Sequence, residues 1–164
     1  MDKAEKQKNL SKALKLLDFV VAVFVIAFFG GIIIVKYNHE GLLSADFDTL
    51  LDTSLVVASG ISIIVCMAIL FFFLGVCHEI GIDNSFSLEN ASGLHKMAML
   101  GGAYSMIYLI REIFQLVSGT HGVITLGYNV IMIFIGIAFL GVAECLSRLV
   151  KNAHEIKLEN DLTI

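Results

Sequence analysis

Ionisable and amide side chains recur at helical spacing inside an otherwise apolar stretch of the sequence. Arg111 and Glu112 lie side by side in YLIREIFQL, residues 108–116. Together with polar residues three and four positions away, they form a stripe about 120° wide on one side of a helix. An ionised group deep in a bilayer costs about 2.5 kcal/mol or more unless it faces protein or water. We therefore predict an intramembrane polar seam, which comprises Tyr104, Tyr108, Arg111, Glu112, Gln115 and Asn129.

Arg111 has two predicted sets of partners. Arg111 and Asn129 lie nine residues to either side of Thr120, the centre of a predicted turn, so an antiparallel hairpin brings them to similar depth. Alternatively, the long side chain of Arg111 extends towards Asp48 or Asp52 at the nearer helix end. Two roles stay open for the seam: a hydrogen-bonded network that fixes bundle register, and a ligand or ion site that opens to the outer face.

Candidate catalytic and metal-ligating groups are sparse. Cys77, His78 and His95 are metal-ligand types near one predicted membrane face, but they lack the close spacing of real metal sites. HEIGI lacks the second histidine of a zinc-protease helix, and no motif pairs a nucleophile with a base. The sequence has an odd number of cysteines, and their spacing does not suggest a pair; they are Cys66, Cys77 and Cys145. We therefore expect no enzymatic activity, no metal, no cofactor and no disulfide.

The elements that must position the seam are long apolar segments. The sequence is 57% hydrophobic and 16% charged, with a mean hydropathy of +0.86, far from the composition of a soluble domain. A helix needs about 20 apolar residues to cross a hydrocarbon core, and these segments lack the alternation of barrel strands. The predicted spans are residues 16–35, 55–77, 97–117 and 123–143. We predict an all-α fold with one domain, residues 1–164, in which four transmembrane helices form an antiparallel bundle.

The distribution of Lys and Arg predicts the orientation. The N-terminal arm 1–15, the loop 78–96 and the C-terminal tail 144–164 carry nine of these residues, whereas the opposite side carries Lys36 alone. Both termini are therefore predicted to be cytoplasmic. The apolar core after the arm is longer than that of a signal peptide, and no small-x-small cleavage site follows it. We expect residues 1–35 to stay in the mature protein.

The first external loop, residues 36–54, combines acidic residues with an amphipathic pattern. Leu43, Phe47 and Leu50 recur at helical intervals, and Ser44 is a candidate N-cap. We predict a short interfacial helix here. It serves either as a connector on the membrane surface or as a lid over an external ligand site.

Two polar segments carry recognisable motifs: NSFSLENASGLHKMA at residues 84–98 and LENDLTI at residues 158–164. They resemble the Pro-Phe-Ser-x-Glu-Asn-x-x-x-Leu signature and the usual ending of YoaS-like proteins, an uncharacterised family of bacterial four-span membrane proteins (domain of unknown function 2975). Ser85 stands where that family usually has proline. The resemblance implies a bacterial inner-membrane location and, often, a neighbouring gene for a small helix-turn-helix regulator of the Cro repressor type. The family positions in this chain are Phe86, Ser87, Glu89, Asn90, Asn160, Asp161, Leu162, Thr163 and Ile164.

All of these family positions fall on the predicted cytoplasmic side, where they suit docking of a soluble partner. The alternative is that residues 86–90 merely cap the third span and that the tail packs beneath the bundle. We predict a non-enzymatic regulatory or sensory protein that docks a soluble cytoplasmic protein such as a Cro-type regulator. The alternative function is a small transporter, a channel subunit or a bacteriocin or peptide-toxin immunity protein.

The predicted partners follow from the same segments. They are the lipid bilayer, the cytoplasmic regulator and a second copy of the chain, which Gly101 and Gly102 would let approach the third span closely. Direct binding of nucleic acid is not expected, because membrane orientation alone explains the lysines of the N-terminal arm.

Overall fold

The computed structural model describes residues 3–38, 52–120 and 122–162. These residues form four long helices, which confirms the predicted all-α class. The helices are α1 (Lys3–Asn38), α2 (Thr53–Gly81), α3 (Leu88–Ser118) and α4 (Val123–Leu162). The interfacial helix predicted around residues 43–51 lies outside the described residues.

Local sequence signals account for the ends of α2 and α3. Asp52 is the N-cap of α2, and its carboxylate accepts a hydrogen bond from the Leu55 backbone N–H at 2.9 Å. Ser87 is the N-cap of α3, and its Oγ accepts from the Asn90 N–H at 3.1 Å. Gly119 ends α3 in the left-handed conformation, with φ at 70°. Such caps satisfy backbone groups that have no partner inside the helix.

Two helices are longer than the predicted spans. α1 joins the N-terminal arm to the first span without a break, and α4 continues through the predicted tail. α1 has 36 residues and α4 has 40, so they measure about 54 Å and 60 Å at helical rise. A hydrocarbon core is only about 30 Å thick. Both helices therefore extend well beyond it.

Neighbouring helices pack in chain order, α1 with α2, α2 with α3 and α3 with α4. The Ser11 hydroxyl near the start of α1 donates to a carbonyl near the end of α2 at 2.6 Å. Between α3 and α4, Ser147 donates to the Ala91 carbonyl at 2.7 Å, and Ser105 donates to the Ile133 carbonyl at 3.1 Å. Residue numbers rise along one helix as they fall along its neighbour, so adjacent helices are antiparallel.

Glycines set the close approach of α3 and α4. A β-carbon on Gly136 would lie 2.8 Å from the Gly101 carbonyl oxygen and 3.0 Å from the Ser105 nitrogen. A β-carbon on Gly102 would lie 2.9 Å from Leu140 Cδ1. These distances are shorter than the distances between atoms of normally packed side chains. Because Gly101 and Gly102 are used within the chain, they give no support to the predicted homo-oligomer.

The outer surface of the bundle is apolar. In the described part of the chain, α1, α2 and α4 are long and apolar enough to cross a membrane, which indicates a multi-pass membrane protein. α3 does not reach that apolarity because it carries the polar stripe. The stripe is buried, however, and the opposite face of α3 is exposed. The exposed apolar residues of α3 include Met99, Met106, Ile110, Ile113, Phe114 and Val117. This helix is therefore polar inside and apolar outside, the reverse of a helix on a soluble protein.

Candidate functional site: a buried polar cluster

Polar side chains from three elements meet at the end of the bundle where α2 begins. Arg111 is 3% exposed, and Gln115 and Asn129 are fully buried. They come together because the stripe on α3 faces both the start of α2 and the first turns of α4. We call this group the polar cluster, and its members are Asp52, Ser54, Arg111, Glu112, Gln115 and Asn129.

Arg111 joins the three elements of the polar cluster. Its Nη2 donates to Asp52 Oδ1 at 3.1 Å, and its Nε donates to Ser54 Oγ at 3.1 Å. Its Nη1 donates to Asn129 Oδ1 on α4. The two predicted partner sets are thus engaged together, Asn129 from one and Asp52 from the other, whereas Asp48 lies outside the described residues. The planar, multidentate guanidinium suits such a junction, which the point charge of lysine could not reproduce.

Asn129 and Gln115 complete the network. The Asn129 side-chain amide donates to Glu112 Oε2 and, at 3.1 Å, to Gln115 Oε1. Gln115 in turn donates to Asp52 Oδ2 at 3.2 Å. Each amide therefore accepts a hydrogen bond through its oxygen and donates through its nitrogen. Buried amides need both kinds of bond if no polar atom is to be left unpaired.

Asp52 is more exposed to solvent than the arginine it pairs with: 22% of its side chain is exposed, against 2% for Arg111. Burial by itself raises the pKa of Asp52, but hydrogen bonds from Ser54, the Leu55 backbone and Arg111 outweigh it, so the pKa lies below the ordinary aspartate value. Asp52 therefore stays ionised at neutral pH. It serves both as the cap of α2 and as the counter-ion of Arg111.

The two tyrosines of the predicted seam lie one layer deeper than the polar cluster. Tyr108 accepts a hydrogen bond from Ser62 at 3.3 Å, and Tyr104 donates to the Met132 sulfur at 3.2 Å. The rings of Tyr104 and Tyr108 lie 5.3 Å apart, and Tyr128 packs on Tyr108 at 5.9 Å. These tyrosines form an aromatic layer under the cluster.

Beyond the aromatic layer the space between the helices is apolar. A cavity of about 240 Å³ lies there, bordered by all four helices. Its lining includes Val25, Ile69, Gly101, Ile135 and Phe139. The polar cluster therefore does not continue through this cavity as a polar path towards the α2–α3 connection.

The chemistry of the polar cluster is that of a charge-dependent junction. It holds a cation, at least one ionised carboxylate and two amides in contact, and Asp52 gives it one edge towards solvent.

The residues predicted for cytoplasmic docking do not all form one surface. Ser87 and Asn90 are buried, and they bind local groups: Ser87 caps α3, and Asn90 donates to the Ser85 carbonyl at 2.9 Å. Phe86 is 56% exposed and Glu89 is also exposed. The capping alternative therefore describes Ser87 and Asn90, and of the four predicted docking positions in this segment Phe86 and Glu89 are exposed to a partner.

The C-terminal family positions lie at or beyond the end of α4. Asn160 is exposed. Asp161 and Leu162 belong to the helix, whereas Thr163 and Ile164 lie outside the described residues. α4 meets the α2–α3 connection earlier, where His154 Nδ1 is 2.9 Å from the Phe86 carbonyl oxygen. α4 thus contacts the first family segment through His154, a residue that lies outside both motifs.

A second polar group joins α3 to α4 near the α2–α3 connection. Glu144 Oε2 lies 2.7 Å from His95 Nδ1, and Glu144 Oε1 accepts from Arg148 at 3.0 Å. We call these residues the loop-end contacts. His95, a candidate metal ligand in the sequence, here faces a carboxylate on α4, and no three metal-type side chains converge in the described ranges.

Sequence reasoning missed Ser54 as a member of the polar cluster. Ser54 donates to both Asp52 carboxylate oxygens, at 2.8 Å and 2.7 Å, and accepts from Arg111. The available signal was the pattern Asp-Thr-Ser at the start of a span, which is typical of a capped helix N-terminus. That signal locates a cap, but it does not say which distant side chain the cap will meet.

Comparisons with known proteins give one family match. Residues 36–164 match the model of a family described as "Protein of unknown function (DUF2975)". No curated protein and no solved structure matches the chain.

Proposed function

This chain belongs to the DUF2975 family of proteins of unknown function, and from that premise we propose that it is a regulatory or sensory membrane protein without enzymatic activity. In this proposal it lies in a bacterial inner membrane, crosses it four times and keeps both termini in the cytoplasm. The polar cluster near the outer face is the sensing element. The far end of α4 docks a soluble cytoplasmic protein, for which a small Cro-type helix-turn-helix regulator is our candidate.

One observation carries the docking half of the proposal: the part of α4 beyond the predicted span has an exposed apolar stripe. Leu149 is 63% exposed and Ile156 is 59% exposed, two turns apart on one side of the helix. The surrounding residues Lys151, Glu155 and Lys157 are charged. An amphipathic helix with an uncovered apolar face is a standard ligand for a groove on a partner protein.

The sensing half rests on how α3 and α4 are joined. The polar cluster binds them at one end and the loop-end contacts bind them at the other. Helices packed this closely move as units, not as flexible segments. A ligand that altered the contacts of Arg111 would therefore bias the position of α4, including the docking stripe.

Transport is the weaker alternative. A conduction path needs polar or water-filled lining along its length. The apolar cavity below the aromatic layer provides no such lining, so the geometry favours regulation over transport.

The test of the proposed function is direct binding between two purified proteins. The full-length protein in lipid nanodiscs is immobilised, and the Cro-type regulator encoded beside its gene is passed over it. We expect specific binding that Leu149→Glu combined with Ile156→Glu reduces at least tenfold, because both charges would enter the apolar interface. Ile82→Glu is the matched control, since Ile82 is 58% exposed but lies outside the stripe.

Two results would count against this function. One is binding that the double variant and Ile82→Glu leave equally strong. The other is ion or solute flux through the purified protein in liposomes that Arg111→Leu abolishes, which would establish the transport alternative instead. Thermal unfolding of each variant in detergent shows whether it is folded before its binding is compared.

A further inference from the structure

A groove of about 460 Å³ separates the end of α2 from the start of α3, away from the polar cluster. On α3, Glu89, Gly93 and Lys96 share one side of the helix, at intervals of four and three residues. On α2, Gly75 lies on the facing wall. A β-carbon on Gly75 would meet nothing within 4 Å, so the groove is open beside this residue.

The groove changes chemistry in a fixed order from the membrane interior outwards. Phe71 and Phe72 lie within the second predicted span and line the inner part. Lys96 lies at the edge of the third predicted span, with its Nζ 5.4 Å from the centre of the Phe72 ring. Glu79 and Glu89 line the outermost part, next to the α2–α3 connection. The order is therefore aromatic, then cationic, then anionic.

The charges in the groove are available to a ligand. Within the described ranges, neither Lys96 nor Glu89 takes part in an ion pair, and the Lys96 ammonium meets only the Phe72 ring. Glu79 accepts one hydrogen bond from Asn84, at 2.6 Å. His78 is the remaining titratable group in the lining. A molecule that filled the groove would meet a cation and two carboxylates at different depths.

We propose that the groove binds the headgroup of a zwitterionic aminophospholipid of the adjacent leaflet. The lipid phosphate lies against Lys96, and its primary ammonium lies against Glu89 and Glu79. The acyl chains follow Phe71 and Phe72 into the bilayer. Such a lipid presents hydrocarbon, then phosphate, then ammonium. These groups match the aromatic, cationic and anionic parts of the groove in the same order.

Charge complementarity distinguishes this lipid from other phospholipids. The headgroup of phosphatidylglycerol has the phosphate but no cation for the carboxylates. Phosphatidylcholine has a cation but no N–H donors, so it cannot form charge-assisted hydrogen bonds to Glu89. The inference depends only on the bilayer location of the chain, so it stands or falls separately from the proposed regulatory role.

Native mass spectrometry of the full-length protein in detergent tests the inference. An equimolar mixture of phosphatidylethanolamine, phosphatidylcholine and phosphatidylglycerol is added, and the lipid retained by each protein ion is measured. We expect the wild-type protein to retain phosphatidylethanolamine preferentially. Lys96→Gln should weaken retention of all three lipids about fivefold, the effect of one basic residue at a lipid phosphate.

Two further variants separate the parts of the site. Glu89→Gln should reduce the preference for phosphatidylethanolamine over phosphatidylcholine, because one of the two carboxylates that accept hydrogen bonds from the ammonium is lost. Gly75→Leu should lower retention of every lipid because its side chain would project from the groove wall, where a β-carbon meets nothing within 4 Å. Lys151→Gln and Glu155→Gln make the same charge changes on exposed positions of α4, and we expect both to behave as the wild type.

Three results would overturn the inference. Equal retention of the three lipids by the wild-type protein would mean that only non-specific surface lipid is bound. Preference for phosphatidylglycerol would mean that the carboxylates play no part. Identical behaviour of Lys96→Gln, Glu89→Gln and the two α4 controls would remove the groove from any role in lipid binding.

Discussion

The same kinds of side chain join α3 to α4 at two ends of the helix pair, but in opposite surroundings. In the polar cluster, Arg111 is 3% exposed and Asn129 is fully buried. In the loop-end contacts, the His95 and Arg148 side chains are 56% and 76% exposed, and Glu144 is 27% exposed. Water can replace the second set of interactions but not the first. We infer that the buried end contributes more to the stability of the helix pair than the exposed end does.

The largest difference between the two ends should come from removing one arginine at each. Arg111→Leu leaves Asp52 and Asn129 without their shared donor inside the bundle, and we expect the free energy of unfolding to fall by about 3 kcal/mol. Arg148→Leu at the exposed end removes a contact to Glu144 within α4 and should cause no measurable loss. Unfolding in SDS, followed by helical circular dichroism, measures both. Equal losses would mean that burial does not distinguish the two ends.

The next largest effect should come from separating α3 and α4 between the two ends. Gly136→Ala introduces a β-carbon against Gly101 and Ser105, and we expect a loss of about 2 kcal/mol as the helices move apart. Gly127→Ala is the control on the same helix, because a β-carbon there meets nothing within 4 Å. It should be neutral or slightly stabilising. A Gly136→Ala protein as stable as its control would show that close approach is not needed for the polar cluster.

A smaller effect is expected from removing one hydroxyl of the polar cluster. Ser54→Ala deletes the group that donates to Asp52 and accepts from Arg111, and we expect a loss of about 1 kcal/mol by the same unfolding measurement. Ser118→Ala, an exposed serine at the end of α3, is the comparison. Equal stability of the two serine variants would mean that the Ser54 hydroxyl contributes nothing to the network.

The smallest effect should appear only in acid. The pKa of Asp52 is lower in the folded protein than its ordinary value, so its ionised form stabilises the fold above that value. This contribution is lost as the pH falls below about 4, through the lowered pKa of the folded state. Asp52→Asn should lack this contribution, so its free energy of unfolding should fall less than that of the wild type between pH 6 and pH 3. A variant whose stability declined as steeply as that of the wild type would assign the acid sensitivity to other carboxylates.

Helical periodicity in the sequence predicts which residues of α3 share a face. The stripe that contains Tyr108, Arg111 and Gln115 is buried, and residues between its members, such as Ile110 and Ile113, are exposed. This could be predicted because the angle between residues on a helix depends only on their separation along the chain. Apolar length likewise predicts the all-α class.

Partner choice across helices was much harder to predict. Asn129 and Asp52 are alternatives for Arg111 in the sequence, because each is compatible with a different helix register and side-chain extension. The structure engages both, and adds Ser54, since one guanidinium presents donors in several directions. The sequence likewise does not show which residues of the predicted docking segment are accessible. In the structure, Ser87 and Asn90 are buried at the start of α3, whereas Phe86 is exposed.

What the sequence determined by itself is local: long apolar helices, their caps, and the face of α3 that carries polar groups. Tertiary structure alone decided the junction at Arg111, the glycine contact of Gly101 with Gly136, and the exposure of Leu149 and Ile156 on α4. The physical reason is that helix formation and helical phase arise from residues within a few turns of one another. Contacts between helices depend instead on register and distance, which close packing of the whole bundle sets.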